Sequence, residues 1–176
     1  MAQTAAAPTE RDAASVQEAR TLVQRARLAA PILAEFSQEQ IDRIVDAVAA
    51  AAHPRAEEFA RLAIEETGFG VLADKIQKNL FASDRVYEFI RPMKTVGVIG
   101  RDEARKVVEI AEPFGVVAAI VPSTNPTSTA IYKILISLKA RCPVVLSPHP
   151  SAPSASRVWP NCSPKPPAAQ ARPRAP

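Results

Sequence analysis

The stretch IAEPFGVVAAIVPSTNPTSTAIYKILISLKARCPVVLSPHPSA, from Ile110 to Ala152, decides the fold, because it spells a strand, a polar turn, a helix and a second strand. Gly115 to Val121 (GVVAAIV) is short, apolar and rich in β-branched residues, the pattern of a strand covered on both faces. Pro122, Ser123, Thr124, Asn125 and Pro126 stop it, since each proline lacks an amide donor and disfavours helix in the residue before it. Thr127 or Ser128 is placed to cap the helix that follows. Its buried stripe is Ile131, Ile134, Leu135 and Leu138, while Lys133, Lys139 and Arg141 lie off the stripe or near the carboxyl end, where the dipole favours cations. Pro143 to Leu146 then resumes strand. A polar turn between a buried strand and a helix amino terminus is where open α/β sheets hold nucleotide cofactors.

Upstream lies a helical arm. Val16, Ala19, Leu22, Val23 and Ala26 form one apolar stripe ahead of Pro31, and Ser37 with Gln40 has the capping-box spacing for a second helix buried through Ile41, Ile44, Val45 and Val48. Pro54 opens a third helix through Phe59, Leu62, Ala63 and Thr67, which Gly68 and Gly70 stop. A fourth runs from about Val71 to Phe89. Thr95 to Gly100 and Lys106 to Ile110 read as two strands around the polar turn RDEAR.

Composition narrows the function classes. The chain has 176 residues, 47% of them hydrophobic and 23% charged, enough for one modest domain with a core. The net charge of +4 comes from Lys and Arg interleaved with Asp and Glu, and with only 5% aromatic residues there is no basic run with stacking partners, which argues against nucleic acid. No apolar segment is long enough to span a membrane and the amino terminus has no basic start before a leucine-rich core, so the expected location is cytoplasmic. Cys142 and Cys162 have no metal spacing, and His53 and His149, the two histidines, make no metal pair. Asp74, Lys75, Glu65 and Glu66 read as solvated helix charges.

The segments FSQEQIDRIV, ADKIQKN, FAS, IAEPFG, IVPSTNPTSTAIYK, LISLKAR and SPHP follow one another in this order. In order and spacing the chain resembles the start of the aldehyde dehydrogenase half of bacterial bifunctional aldehyde-alcohol dehydrogenases, from about Val16 to Ala152. TNPTST and SPHP point to the CoA-acylating branch. The resemblance implies an α/β fold, with a helical arm and part of a Rossmann-like NAD-binding sheet forming an incomplete domain over residues 16–152. It also implies a reaction in which an acetaldehyde-like aldehyde, CoA as co-substrate and NAD give acyl-CoA and NADH, in an enzyme that self-associates.

In that family the segment Ile120, Val121, Pro122, Ser123, Thr124, Asn125 lies against the nicotinamide end of NAD, with polar side chains facing the carbonyl carbon under attack. One such donor to the oxyanion is worth roughly 3 to 4 kcal/mol in other enzymes. Counting from Pro122 assigns it to Thr124, and residue type assigns it to Asn125. The SPHP position lies beside the adenine ribose in related enzymes, which would bring His149 to the cofactor, although two prolines at a strand end also serve as a plain terminator. The family's nucleophilic cysteine comes beyond the point where the resemblance stops, and neither Cys142 nor Cys162 occupies its place. No catalytic residue is therefore assigned, and the expectation is an inactive truncated portion with weak or absent NAD binding; the alternative is a non-catalytic fragment or interaction subunit pairing with a full-length relative.

Residues 1–15 are expected to be disordered, and residues 153–176 to form a Pro-rich tail, extended or disordered. The genetic code suggests that this tail is a shifted reading frame. Read from the third base of the Val158 codon, the Asn-Cys boundary forces Leu, and the whole permits V-A-E-L-L-A-E-A-A-x-x-A-G-A-P. That product is an amphipathic helix with a glycine stop, which is what should follow a strand in a βαβ unit.

Overall fold

The computed structural model describes residues 10–156. Among these residues seven α-helices and four strands follow one another: α1 Glu10–Ala34, α2 Gln38–Ala52, α3 Ala56–Thr67, α4 Leu72–Leu80, α5 Val86–Ile90, β1 Gly97–Asp102, β2 Val107–Ala111, β3 Val117–Val121, α6 Pro126–Lys139, β4 Val144–Pro148 and α7 Pro153–Ser156. The expected α/β plan, a helical arm ahead of part of a parallel sheet, is what forms.

α6 lies at the centre. Its Ile131, Ile134 and Leu135 pack with Ile41, Val45 and Val48 of α2, Phe59 of α3 and Ile90 of α5 in one core, with Leu138 half-buried against it. α2 begins where the sequence says it should: Ser37 Oγ accepts from Gln40 N at 3.3 Å and Gln40 Oε1 accepts from Ser37 N at 2.8 Å. Pro54 lies in a tight helical turn, His53–Arg55, that leads into α3. Gly68 ends α3 in the left-handed conformation, φ +70°, which glycine adopts without a Cβ penalty.

β3 and β4 are parallel, with Val117 opposite Val144 and Val121 opposite Pro148, and α6 is the crossover between them. β1 and β2 form a separate antiparallel ribbon, Gly97 opposite Ala111 and Asp102 opposite Val107.

Several expectations need correction. α1 starts at Glu10 rather than after residue 15 and continues through Pro31, which lacks an amide for the carbonyl four residues back but leaves the helix only three more residues to run. Its stripe is not buried: Val16, Leu22 and Val23 are exposed, because α1 meets the rest of the described chain near its carboxyl end, where Leu33 is half-buried. The helix expected from Val71 to Phe89 is interrupted by a wider turn, Phe81–Arg85, with Val86 N donating to Phe81 O. β3 is covered on one face only; Ala119 and Val121 are buried, and Ile120 points outward with 72% of its surface exposed. The expected tail opens with the helical turn α7, and its remaining residues, 157–176, like residues 1–9 of the expected disordered start, lie outside the described residues.

Candidate functional site

The turn Pro122–Asn125 leaves the carboxyl end of β3 and enters α6 directly. Asn125, and neither Thr127 nor Ser128, occupies the cap position, with φ −142° and ψ 60°; its carbonyl accepts from Thr129 N at 3.2 Å while its side chain makes no cap bond. Pro126 takes the first helical position, where its missing amide costs nothing. Thr127 is drawn inward instead. It is buried, and its Oγ1 donates to Asn79 Oδ1 at 2.8 Å, while Asn79 Nδ2 donates to the Ala56 carbonyl at 2.9 Å.

α4 holds the turn from the other side. Lys75, Lys78 and Asn79 stand at i, i+3 and i+4, hence on one helix face. Lys75 Nζ donates to the Thr124 carbonyl at 2.8 Å, and Lys78 Nζ donates to Asn125 Oδ1 at 3.2 Å. Lys75 is buried, and that burial, with the charge of Lys78 next, pushes its pKa below the ordinary lysine value. Its stem runs beside Gly70, where φ is +86° and an added Cβ would come within 2.9 Å of Lys75 Cε. A side chain at position 70 would therefore displace the lysine that holds the turn. The reading of Lys75 as a solvated surface charge is overturned, because the turn covers it; Asp74 is exposed as expected. The signal in the sequence was the polar face of ADKIQKN at helical spacing, which cannot name its partner.

Of the residues assigned to the cofactor, Val121 is buried under α6, Ile120 faces outward, and Ser123, Thr124 and Asn125 line the turn at the end of β3. Lys133 Nζ donates back to the Ile120 carbonyl at 2.7 Å and so ties the strand end to α6. Among the described residues the hydroxyls of Ser123 and Thr124 have no hydrogen-bonding partner within the protein, which leaves them free for a ligand. His149 follows β4, is exposed, and has Nδ1 engaged by Ser151 N at 3.1 Å. Cys142 is wholly buried and its Sγ lies 3.4 Å from the Ala140 carbonyl, away from the turn. No cluster of three or more His, Cys, Asp or Glu able to hold a metal occurs among the described residues, and no described helix is long and apolar enough to cross a membrane.

A family model described as the aldehyde dehydrogenase family matches residues 3–161. The chain belongs to the aldehyde dehydrogenase family. The bifunctional aldehyde-alcohol dehydrogenase AdhE of Escherichia coli K12 is 45% identical over 142 residues, which are 81% of this chain and 16% of that relative. The acetylating aldehyde dehydrogenase of Geobacillus thermoglucosidasius matches with a TM-score of 0.81 and 51% identity, over 84% of this chain and 32% of the other. Propionaldehyde dehydrogenase of Rhodopseudomonas palustris, solved with bound CoA, matches with a TM-score of 0.65 and 31% identity, over 78% and 31%. The aldehyde dehydrogenase chain described here thus spans about a third of these solved relatives, and the likeness to the acylating branch carried by TNPTST and SPHP is borne out.

Proposed function

We propose that this chain forms one side of the NAD site of a CoA-acylating aldehyde dehydrogenase that converts a short aldehyde, CoA and NAD to acyl-CoA and NADH. The observation that carries the proposal is the turn Ile120 to Asn125 at the carboxyl end of a parallel strand, leading into the amino terminus of α6, in a chain whose relatives are acylating enzymes. Two features fit the cofactor: the free hydroxyls of Ser123 and Thr124, and Ile120 presented on the open face of the sheet. NAD, when bound, supplies the hydride acceptor. The chain's own contribution is to bind and orient: Ile120 sets the floor, Val121 anchors the strand end beneath α6, Pro122 and Pro126 stiffen the turn, and Thr124 or Asn125 offers a donor where negative charge develops on the aldehyde oxygen. The enzyme works as a homo-oligomer in the cytoplasm on this reading.

The thiolate step has no candidate among the described residues, since Cys142 is enclosed and away from the turn. The isolated chain should therefore form no NADH from acetaldehyde, CoA and NAD⁺; turnover that survives mutation of contaminating activity would overturn this. A chimera tests the rest. Residues 16–152 placed in the corresponding segment of the Geobacillus enzyme should retain CoA-dependent NADH formation, and a folded chimera without it would sink the proposal. In that chimera the donor is separable: whichever of Thr124→Val and Asn125→Ala lowers kcat by about 10² to 10³-fold marks the oxyanion donor.

A further inference from the structure

A lysine ammonium can donate hydrogen bonds and cannot accept them, whereas an asparagine amide has one accepting and one donating end. Lys78 Nζ stands 3.2 Å from Asn125 Oδ1, so the chemistry of the pair fixes which end of the amide faces α4. The other end, Nδ2, has no acceptor among the described residues and is not enclosed. Lys78 itself lies on a helix whose neighbouring polar groups, Lys75 and Asn79, are committed to the Thr124 carbonyl and to Thr127. The backbone on both sides of Asn125 is thereby held, which leaves its side-chain amide flip as the freedom that Lys78 removes.

We propose that Lys78 is a positioning residue that locks the Asn125 amide with Nδ2 turned outward, making Asn125 rather than Thr124 the preorganised hydrogen-bond donor of the turn. The inference rests on the reading of this turn as the cofactor and oxyanion wall. It needs no contact between Lys78 and substrate. Thr124 differs because its hydroxyl rotates freely, with only its carbonyl tied down, by Lys75. A donor already oriented stabilises developing charge without reorganising, and a free rotor does not.

The test is nitrogen and proton NMR of the Asn125 side-chain amide in the full chain, comparing the native protein with Lys78→Met and Lys78→Arg. Lys78 is exposed, so both variants should keep the native circular dichroism and thermal midpoint. In Lys78→Met the two Nδ2 proton resonances should move to the positions of a freely solvated asparagine, and Lys78→Arg should restore the native ones. A Lys78→Met spectrum with the Asn125 amide unmoved overturns the positioning. The Geobacillus chimera, in which the rest of the site is present, separates this from the underlying reading: a kcat lowered by Asn125→Ala supports it, and a folded, active chimera whose kcat neither Asn125→Ala nor Thr124→Val moves overturns the assignment of the turn, and with it the catalytic sense of the donor, whatever the amide does.

Discussion

Lys139 shows how charge at the end of a helix can be read two ways. Position alone suggests a solvated cation complementing the α6 dipole, yet its side chain is 3% exposed and donates to Asp42 Oδ1 at 2.6 Å and to the Arg91 carbonyl at 2.8 Å. Asp42 lies 97 residues away in sequence, and helical periodicity carries no information across that distance. Arg141 is similar: it takes the left-handed conformation, φ 58°, and donates to the carbonyls of Ala34 and, at 2.9 Å, Ala111. Lys139→Met should lower stability by about 2 kcal/mol, less than a fully buried pair would cost because Asp42 keeps 35% of its side chain in water and stays bonded to Gln38. Urea unfolding would measure this; an unchanged midpoint would show the pair to be idle. Lys75→Met should behave differently. The methionine keeps the buried stem volume and removes a desolvated charge, so the net change should stay within about 1 kcal/mol, while the amides of Thr124 and Asn125 exchange with solvent faster.

At the scale of elements, the sequence was most legible where local chemistry and packing agree. Ser37 and Gln40 announce the start of α2, Gly68 announces the end of α3, and the run from β3 to β4 is unmistakable because strand, breaker and helix signals succeed one another within a few residues. α1 was legible as a helix and not as to its burial, since an apolar stripe says that a face can be buried without saying that anything covers it. Glu66 was missed for the same reason as Lys139. It reaches from α3 to the head of α7, accepting from Ser154 N at 2.8 Å and Ala155 N at 2.7 Å. Burial raises its pKa, but the hydrogen bonds from Ala155 and Ser154 outweigh this and leave it below the ordinary 4.5. A carboxylate with a depressed folded-state pKa adds stability that is present above the unfolded value and is lost as the pH falls through the folded one. Glu66→Ala should thus cost roughly 1 kcal/mol at neutral pH, in the range of a lost helix cap, and the difference between native and variant urea midpoints should vanish on acidification below the carboxylate range. A difference that persists in acid would assign the effect to packing of the side chain instead.

For the whole molecule, the decisive fact is how much apolar surface stays in water. Ile120, Phe114 at 80% exposed and Ile110 at 59% lie along one continuous piece of chain, from β2 through β3, and Val107, Val108 and Ile99 add to it on the ribbon. Among the described residues β3 and β4 pair only with each other, so each presents an edge unpaired there, and two-stranded sheets are marginal without further cover. The solved relatives are about three times longer than the matched part of this chain, and a strand pattern apolar on both faces, as in GVVAAIV, is what a sheet buried between layers requires. The chain described here satisfies one of those faces, through α6. Among the described residues sequence and structure therefore agree on a face left without cover, and the expected outcome is association between copies. Sedimentation should show an average mass that rises with protein concentration, together with binding of a hydrophobic dye, and the double substitution Phe114→Lys, Ile120→Lys should shift the mass toward the monomer while leaving the α6 core and the helical circular dichroism intact. A native chain that stays monomeric and dye-free at the highest soluble concentration would mean that this face is protected in a way its exposure does not reveal.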